Sequence, residues 1–435
     1  MARPKIGLAT IVNPFEVGAE RASDIQAEGS MRISKLPADL VVASAIVEDE
    51  NSAWQVAEEL RCSDIDVLCV LVGTWSEDHL VLEILERLRV PLVTWAMPGI
   101  HTGSLSGSQQ ICSVLNELGF PYKFIYGKLS DSHAYNSLMV YARAVALRNR
   151  LRLARFGLIG THVKGMTEVT FDEIELKALF GCSVVSANVQ DLEQWTQEIS
   201  MDDATSIWEG VKGRVGSVNV DDEEGLASCR VYLGLKKFAE KEHLAGLAIQ
   251  CYPTLMGKVC LAYSLLSEEG IVAGCEGDMN STVAMYMLHM LTGQPVHNTD
   301  LLAVDEKEHT MVLSHCGSGG FSLAYRPDDI TLGPVRLAES GLCVLFPAKP
   351  GPVTMVNLIG RRGTYRMCTL CSQALPTHMV FPGNPIKVRS PMNIGDLLDK
   401  IASYGFGHHW MIGYGHVGNE LKELSRLLKI TYISY

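Results

Sequence analysis

Two α/β domains followed by a β-rich, barrel-like third domain are what this sequence predicts, on three observations. Between Lys5 and about Leu153, short apolar runs alternate with amphipathic helical stretches. The same alternation restarts at Ala154-Arg155-Phe156-Gly157-Leu158-Ile159-Gly160. Beyond about Gly320 it gives way to short β-like runs separated by Gly and Pro. Strand and helix alternating at this spacing imply parallel sheets covered on both faces, whereas short even runs between turn residues imply a small barrel. The expected divisions are 1–153, 154–320 and 321–435.

In the first domain, strands are expected over 6–11, 40–45, 67–72 and 91–95, with a fifth apolar segment running from Gln110 into a helix. In the second they are expected near 183–186, 246–250 and 271–274, and the polar, acidic stretch 218–224 reads as a loop because it lacks apolar periodicity. A helix over 282–291, rich in Met and Leu, ends at Gly293-Gln294-Pro295. In the third domain the β-like runs are 342–346, 353–359, 364–370 and 379–381, and a helix over 418–428 comes near the end.

Composition narrows the function classes. Hydrophobic residues make up 47% and charged residues 20%, ordinary for a globular chain of this length. The formal charge of −12 and the lack of a long Lys/Arg run argue against nucleic acid as a partner. No membrane partner is expected, because the first apolar run is too short for a signal-peptide core or a span. A cytoplasmic location follows as an expectation. The 12 cysteines are scattered, many inside apolar runs, and read as reduced core thiols. The one close pair, Cys368 and Cys371, has no second pair to complete a zinc site and reads as packing.

The residues that could carry chemistry come late. Glu276, in Gly274-Cys275-Glu276-Gly277-Asp278, is followed 24 positions later by Asp300, and much later by the pair His408-His409. Glu276 and Asp278 fall at the carboxyl end of an expected strand, where α/β folds place ligands. A helix and a further strand would return Asp300 to the same sheet edge. Two carboxylates and an imidazole suit a hard divalent cation that also holds a sugar by two oxygens. On the residues alone, carboxylates at strand ends serve equally as caps. Adjacent histidines in an extended segment point to opposite faces, so at most one of the pair should serve a given site.

The run Ala273-Gly274-Cys275-Glu276-Gly277-Asp278, the helix ending Leu291-Thr292-Gly293, and Asn298-Thr299-Asp300 resemble the metal-binding region of the L-fucose isomerase and L-arabinose isomerase superfamily. The stretch from His409 through Gly415-His416-Val417-Gly418 resembles the end of L-fucose isomerase. The resemblance implies two Rossmann-like domains and a β-barrel-type third domain. It implies Glu276, Asp300 and His409 as metal ligands, with manganese as the cofactor and magnesium or cobalt as alternatives. Glu276 and Asp300 would also act as base and acid on an open-chain sugar. His315 resembles a fourth ligand of the arabinose isomerase branch, with a hydrogen bond to substrate as the other reading. Gly73-Thr74-Trp75 looks like the family's tryptophan loop, so Trp75, with His101 and Gln109, would contact substrate in a neighbouring protomer of a homo-oligomer, a trimer or hexamer. The chain is shorter than L-fucose isomerase, and its first domain is only loosely similar.

The reaction implied is interconversion of an aldose and a ketose through an enediolate. The sugar would be like L-fucose, D-arabinose or L-arabinose, or a sulfonated hexose such as sulfoquinovose, an isomerisation to sulfofructose. A sulfonate wants guanidinium donors, and Arg361, with Arg362 and Arg366, is the expected source. The rival reading is a non-catalytic sugar-binding protein built from two Rossmann-like lobes. A nicotinamide enzyme is disfavoured because Val12-Asn13-Pro14-Phe15 follows the first strand without a Gly-x-Gly-x-x-Gly turn.

Overall fold

The computed structural model describes residues 3–434, which separate into two compact units, one up to Arg150 and the other from Leu151 onward. In the first unit, β1 (Lys5–Ile11), β2 (Asp39–Val42), β3 (Val67–Val72), β4 (Leu92–Ala96) and β5 (Tyr122–Tyr126) form one parallel sheet in the order β2-β1-β3-β4-β5. Strand β3 reads Val-Leu-Cys-Val-Leu-Val and is buried along its whole length, as a central parallel strand covered by helices on both faces must be. The sequence reading misplaced the fifth strand. Gln110 sits within the helix Ser104–Glu117, and β5 follows it.

The second unit begins with β6 (Arg155–Ile159), β7 (Ser183–Ala187) and a two-residue strand β8 (Ser217–Val218), continuing to β9 (Gly246–Ile249) and β10 (Val272–Gly274). Four of these make a parallel sheet in the order β10-β9-β6-β7. The stretch 218–224 is not a loop throughout. It contains the end of β8 and then Asp221, whose carboxylate caps the helix Asp222–Lys241 by accepting from the Glu224 amide at 2.8 Å.

The remaining strands are β11 (His297–Asp305), β12 (Thr310–Ser314), β13 (Thr331–Val335), β14 (Ser340–Leu345), β15 (Gly351–Ile359), β16 (Arg366–Leu375), β17 (Ile386–Arg389), β18 (His409–Tyr414) and β19 (Thr431–Ser434). Neighbour pairing runs β15-β18-β11-β12-β17-β16 and returns from β16 to β15, so six antiparallel strands close into a ring. Closure leaves those strands without a free edge, and β19 adds in parallel beside β16. The smaller sheet β14-β13-β8 is not hydrogen-bonded to this ring but packs into the same core. Residues 379–381 belong to no strand; β17 takes the place expected for them.

One consequence bears on the site. Asp300 was expected at the edge of the second parallel sheet, but β11 belongs to the antiparallel ring, so this carboxylate comes from barrel backbone. The α/β layer and the ring are continuous inside. A single buried cluster runs from Ile159 and Leu247 through Met311 and Leu313 to Trp410 and Ile412. The helix Met279–Thr292 is buried on nearly every side, which its apolar sequence predicts, and it carries the Glu276 loop into this core.

Candidate active site

Glu276 and Asp278 lie in the turn between β10 and the helix Met279–Thr292. Glu276 has a φ of 63° and Gly277 a φ of 71°, two successive left-handed residues. Glycine is required at the second, since a Cβ there would stand 2.2 Å from the Thr161 carbonyl oxygen. Glu276 is a non-glycine residue held in the sparsely populated left-handed region, the kind of backbone strain that clusters at functional sites. Its amide donates to Cys251 Sγ at 3.3 Å. Asp278 ends the turn as the helix N-cap, accepting from the Ser281 amide at 2.9 Å and the Ser281 hydroxyl at 2.6 Å.

His409 opens β18 and is 3% exposed. Its Nδ1–H donates to Asp278 Oδ2 at 2.8 Å, and its Nε2 lies 3.0 Å from Glu276 Oε2. Asn357 donates to the carbonyls of Gly407 and His409, each at 2.8 Å, which fixes the backbone that presents the ring. Asp300 is the register partner of His409 across β11 and β18, and of Ser314 across β11 and β12. His315 follows Ser314. Thus His409 Nε2 lies 3.9 Å from Asp300 Oδ1, and His315 Nε2 lies 3.9 Å from Asp300 Oδ2.

Charge follows geometry. Burial would raise the Glu276 carboxyl, but hydrogen bonds to His408 and His409 outweigh it and hold the acid well below the usual carboxylate range. Burial would lower His409, yet the carboxylates of Asp278 and Glu276 lift it to about 10. His315 is pushed down by burial, which favours the neutral imidazole that a metal or a substrate hydroxyl can use.

Two sets of potential ligand atoms lie within 4.8 Å of one another: Glu276, His315 and His409, and separately Asp300, His408 and His409. His409 belongs to both. The expected trio of Glu276, Asp300 and His409 is thus spread over two overlapping sets, and His315 stands as near to Glu276 as a ligand should. The expectation that at most one histidine of the pair serves the site does not hold. His408 precedes β18, so strand alternation does not govern it. Its Nε2 is 3.6 Å from Glu276 Oε2, and its Nδ1 contacts the Glu168 carboxylate. Asp278 was not singled out as a site residue; its position three residues before Ser281, at a helix start, was the available signal.

Glu276, Asp300 and His315 line a cavity of about 360 Å³, within the range of small-molecule sites. Arg361 does not: it donates to the carbonyls of Thr167 and Glu168 at 3.1 and 2.8 Å. Arg366 is likewise committed, to the carbonyls of Tyr404, Thr364 and Gly405. In the other unit, Trp75 is half-buried and its Nε1 donates to Gln110 at 3.0 Å, whereas Gln109 and His101 are exposed. All 12 cysteines are free. Among the described residues no helix is long and apolar enough to cross a membrane.

No family model matches the chain. It is similar to a sulfoquinovose isomerase of Priestia aryabhattai, 24% identical over 420 residues that cover 94% of each chain. It is also similar to an L-arabinose isomerase of a Nocardioides species, 22% identical over 389 residues covering 81% of this chain and 73% of that one. Among solved structures, a periplasmic solute-binding protein of Actinobacillus succinogenes with bound D-allose covers 67% of this chain and 92% of its own, at 12% identity and a TM-score of 0.19. Along nearly its whole length the chain is thus similar to sugar isomerases, and these similarities point to the L-fucose/L-arabinose isomerase superfamily.

Proposed function

We propose that this chain is a metal-dependent aldose–ketose isomerase for an open-chain sugar, with a sulfonated hexose of the sulfoquinovose type as the first substrate to try and an L-arabinose-like sugar as the second. The observation that carries the reading is the convergence of Glu276, Asp300 and His315 on one cavity, with His409 directly behind Glu276. The similarity to sulfoquinovose isomerases along nearly the whole chain supports the substrate order.

The residues fit a hard divalent ion. They offer two carboxylates, the neutral imidazole of His315, and His409, whose Nε2 would release its proton as an ion binds, a set that suits manganese or magnesium. Asp300 Oδ1 and His315 Nδ1 are buried polar atoms without a hydrogen-bond partner, which is costly unless something binds there. Glu276, Asp300 and His409 would hold the ion, with His315 as a fourth ligand. Such an ion would supply Lewis acidity at O1 and O2 of the sugar.

The protein's own groups then do the proton work. One of the two carboxylates, Glu276 or Asp300, takes the proton from C2, and the resulting acid returns it to C1. The other moves the hydroxyl proton between O1 and O2. Asp278 accepts the Nδ1–H of His409, leaving Nε2 directed at Glu276 and the ion site. Trp75, His101 and Gln109 enter the proposal as contributions from a neighbouring protomer of a homo-oligomer, which light scattering would test.

The direct experiment treats the protein with a chelator, adds back manganese, magnesium or cobalt, and follows ketose formation from a panel of aldoses. Turnover restored by metal and removed by Glu276→Gln supports the reading. Turnover that survives complete metal removal overturns it.

A further inference from the structure

Arg336 is a cation that the proposed chemistry does not use. It lies in the turn between β13 and β14, exposed to solvent, and it lines the same cavity as Glu276, Asp300 and His315. Its guanidinium stands over the Phe381 ring, 5.0 Å from the centroid. Among the described residues no carboxylate or carbonyl engages it, in contrast to Arg361 and Arg366. Stacking on an aromatic face orients the guanidinium plane while leaving its N–H groups free at the edge.

The cavity therefore carries groups of both charges. Buried Glu276 and half-buried Asp300 line it together with Arg336, whose guanidinium is exposed and stands over Phe381. We infer that Arg336 selects substrates by binding an anionic group, a sulfonate or phosphate, on the terminal carbon of the sugar; this rests on the isomerase reading above. An open-chain aldose bound by O1 and O2 at the carboxylates must send its far carbon away from Glu276 and Asp300. Anionic oxygens placed there gain paired, charge-assisted hydrogen bonds from the guanidinium. A neutral sugar offers only a hydroxyl, and water serves Arg336 equally well.

The test compares wild type, Arg336→Met and Arg336→Lys, each loaded with manganese, on sulfoquinovose, D-glucose 6-phosphate, D-glucose and L-arabinose. Arg336→Met should lower kcat/KM for the anionic sugars, relative to the neutral ones, by roughly 10- to 100-fold, the usual range for a charged hydrogen bond. Arg336→Lys should fall between. The wild-type ratio of sulfoquinovose to glucose 6-phosphate tells which anion Arg336 prefers. A Met variant that changes anionic and neutral sugars alike overturns the inference. Calorimetric binding of D-glucitol 6-phosphate against D-glucitol needs no turnover. Tighter binding of the phosphate by wild type and its loss in Arg336→Met support the inference even if no aldose reacts, an outcome that would remove the isomerase reading alone. Equal binding of the two alditols overturns it.

Discussion

Asp300 and His409 face each other as register partners on adjacent antiparallel strands, and both side chains leave the ring on the same face. Their approach to 3.9 Å is set by backbone pairing and not by flexible loops. A site built on strands holds its geometry more closely than one built on loops. Asp300→Asn preserves shape and removes the charge. It should lower kcat by about 10²- to 10⁴-fold, the usual worth of a positioned acid or base, while thermal unfolding shifts little. Steady-state kinetics at saturating manganese check this, and a variant with near wild-type kcat would take Asp300 out of the mechanism.

Asp278 acts through His409, so its removal should appear in metal affinity before it appears in stability. Asparagine can still cap the helix Met279–Thr292 but cannot hold the imidazole as strongly. Asp278→Asn is expected to weaken manganese binding by about 10- to 100-fold. Calorimetric metal titration measures it, with the melting temperature as control. Unchanged affinity would make the contact between Asp278 and His409 incidental.

Gly277 cannot be replaced cheaply. Alanine there would meet the Thr161 carbonyl at 2.2 Å and would adopt a φ of 71°. Gly277→Ala should cost at least about 1–3 kcal/mol in chemical denaturation and loosen Glu276 with it. Wild-type stability in that variant would contradict the local geometry.

His297 gives the fold a pH dependence separate from the site. Burial holds its imidazole at about 3, against 6.5 ordinarily, and its Nε2 has no partner. The unfolded chain binds a proton near pH 6.5, whereas the folded chain resists until about pH 3. The contribution is therefore intact above pH 6.5 and is lost as pH falls through the window between them, by up to about 1.4 kcal/mol per unit. Denaturation of His297→Asn between pH 6 and 4 should show a shallower slope than wild type by about that amount. Parallel slopes would show that other groups dominate.

Much of the layout was legible because it is local. The six-residue apolar run of β3 and the helix Gly418–Leu428 appear where expected, since hydrophobic periodicity and Gly punctuation act over a few residues. Gln110 and the 379–381 run were misread for the same reason. Apolar character alone does not separate a helix from a strand, nor a strand from an exposed apolar turn such as Met379-Val380. Arg361 was misread because a guanidinium exposed in sequence can be bound to backbone carbonyls 193 residues away.

By itself the sequence determined the alternation of strands and helices, the position of Glu276 and Asp278 at a strand end, and the family resemblance that selected Glu276, Asp300 and His409. Tertiary structure decided which strand lies beside which. Closing the ring set Asp300 opposite His409 and brought Asp278 to an imidazole 131 residues distant. It also admitted His408 to the site and placed Arg336, not Arg361, at the cavity. Register and closure are long-range pairings stabilised by buried faces, and no local stretch of residues specifies its partner.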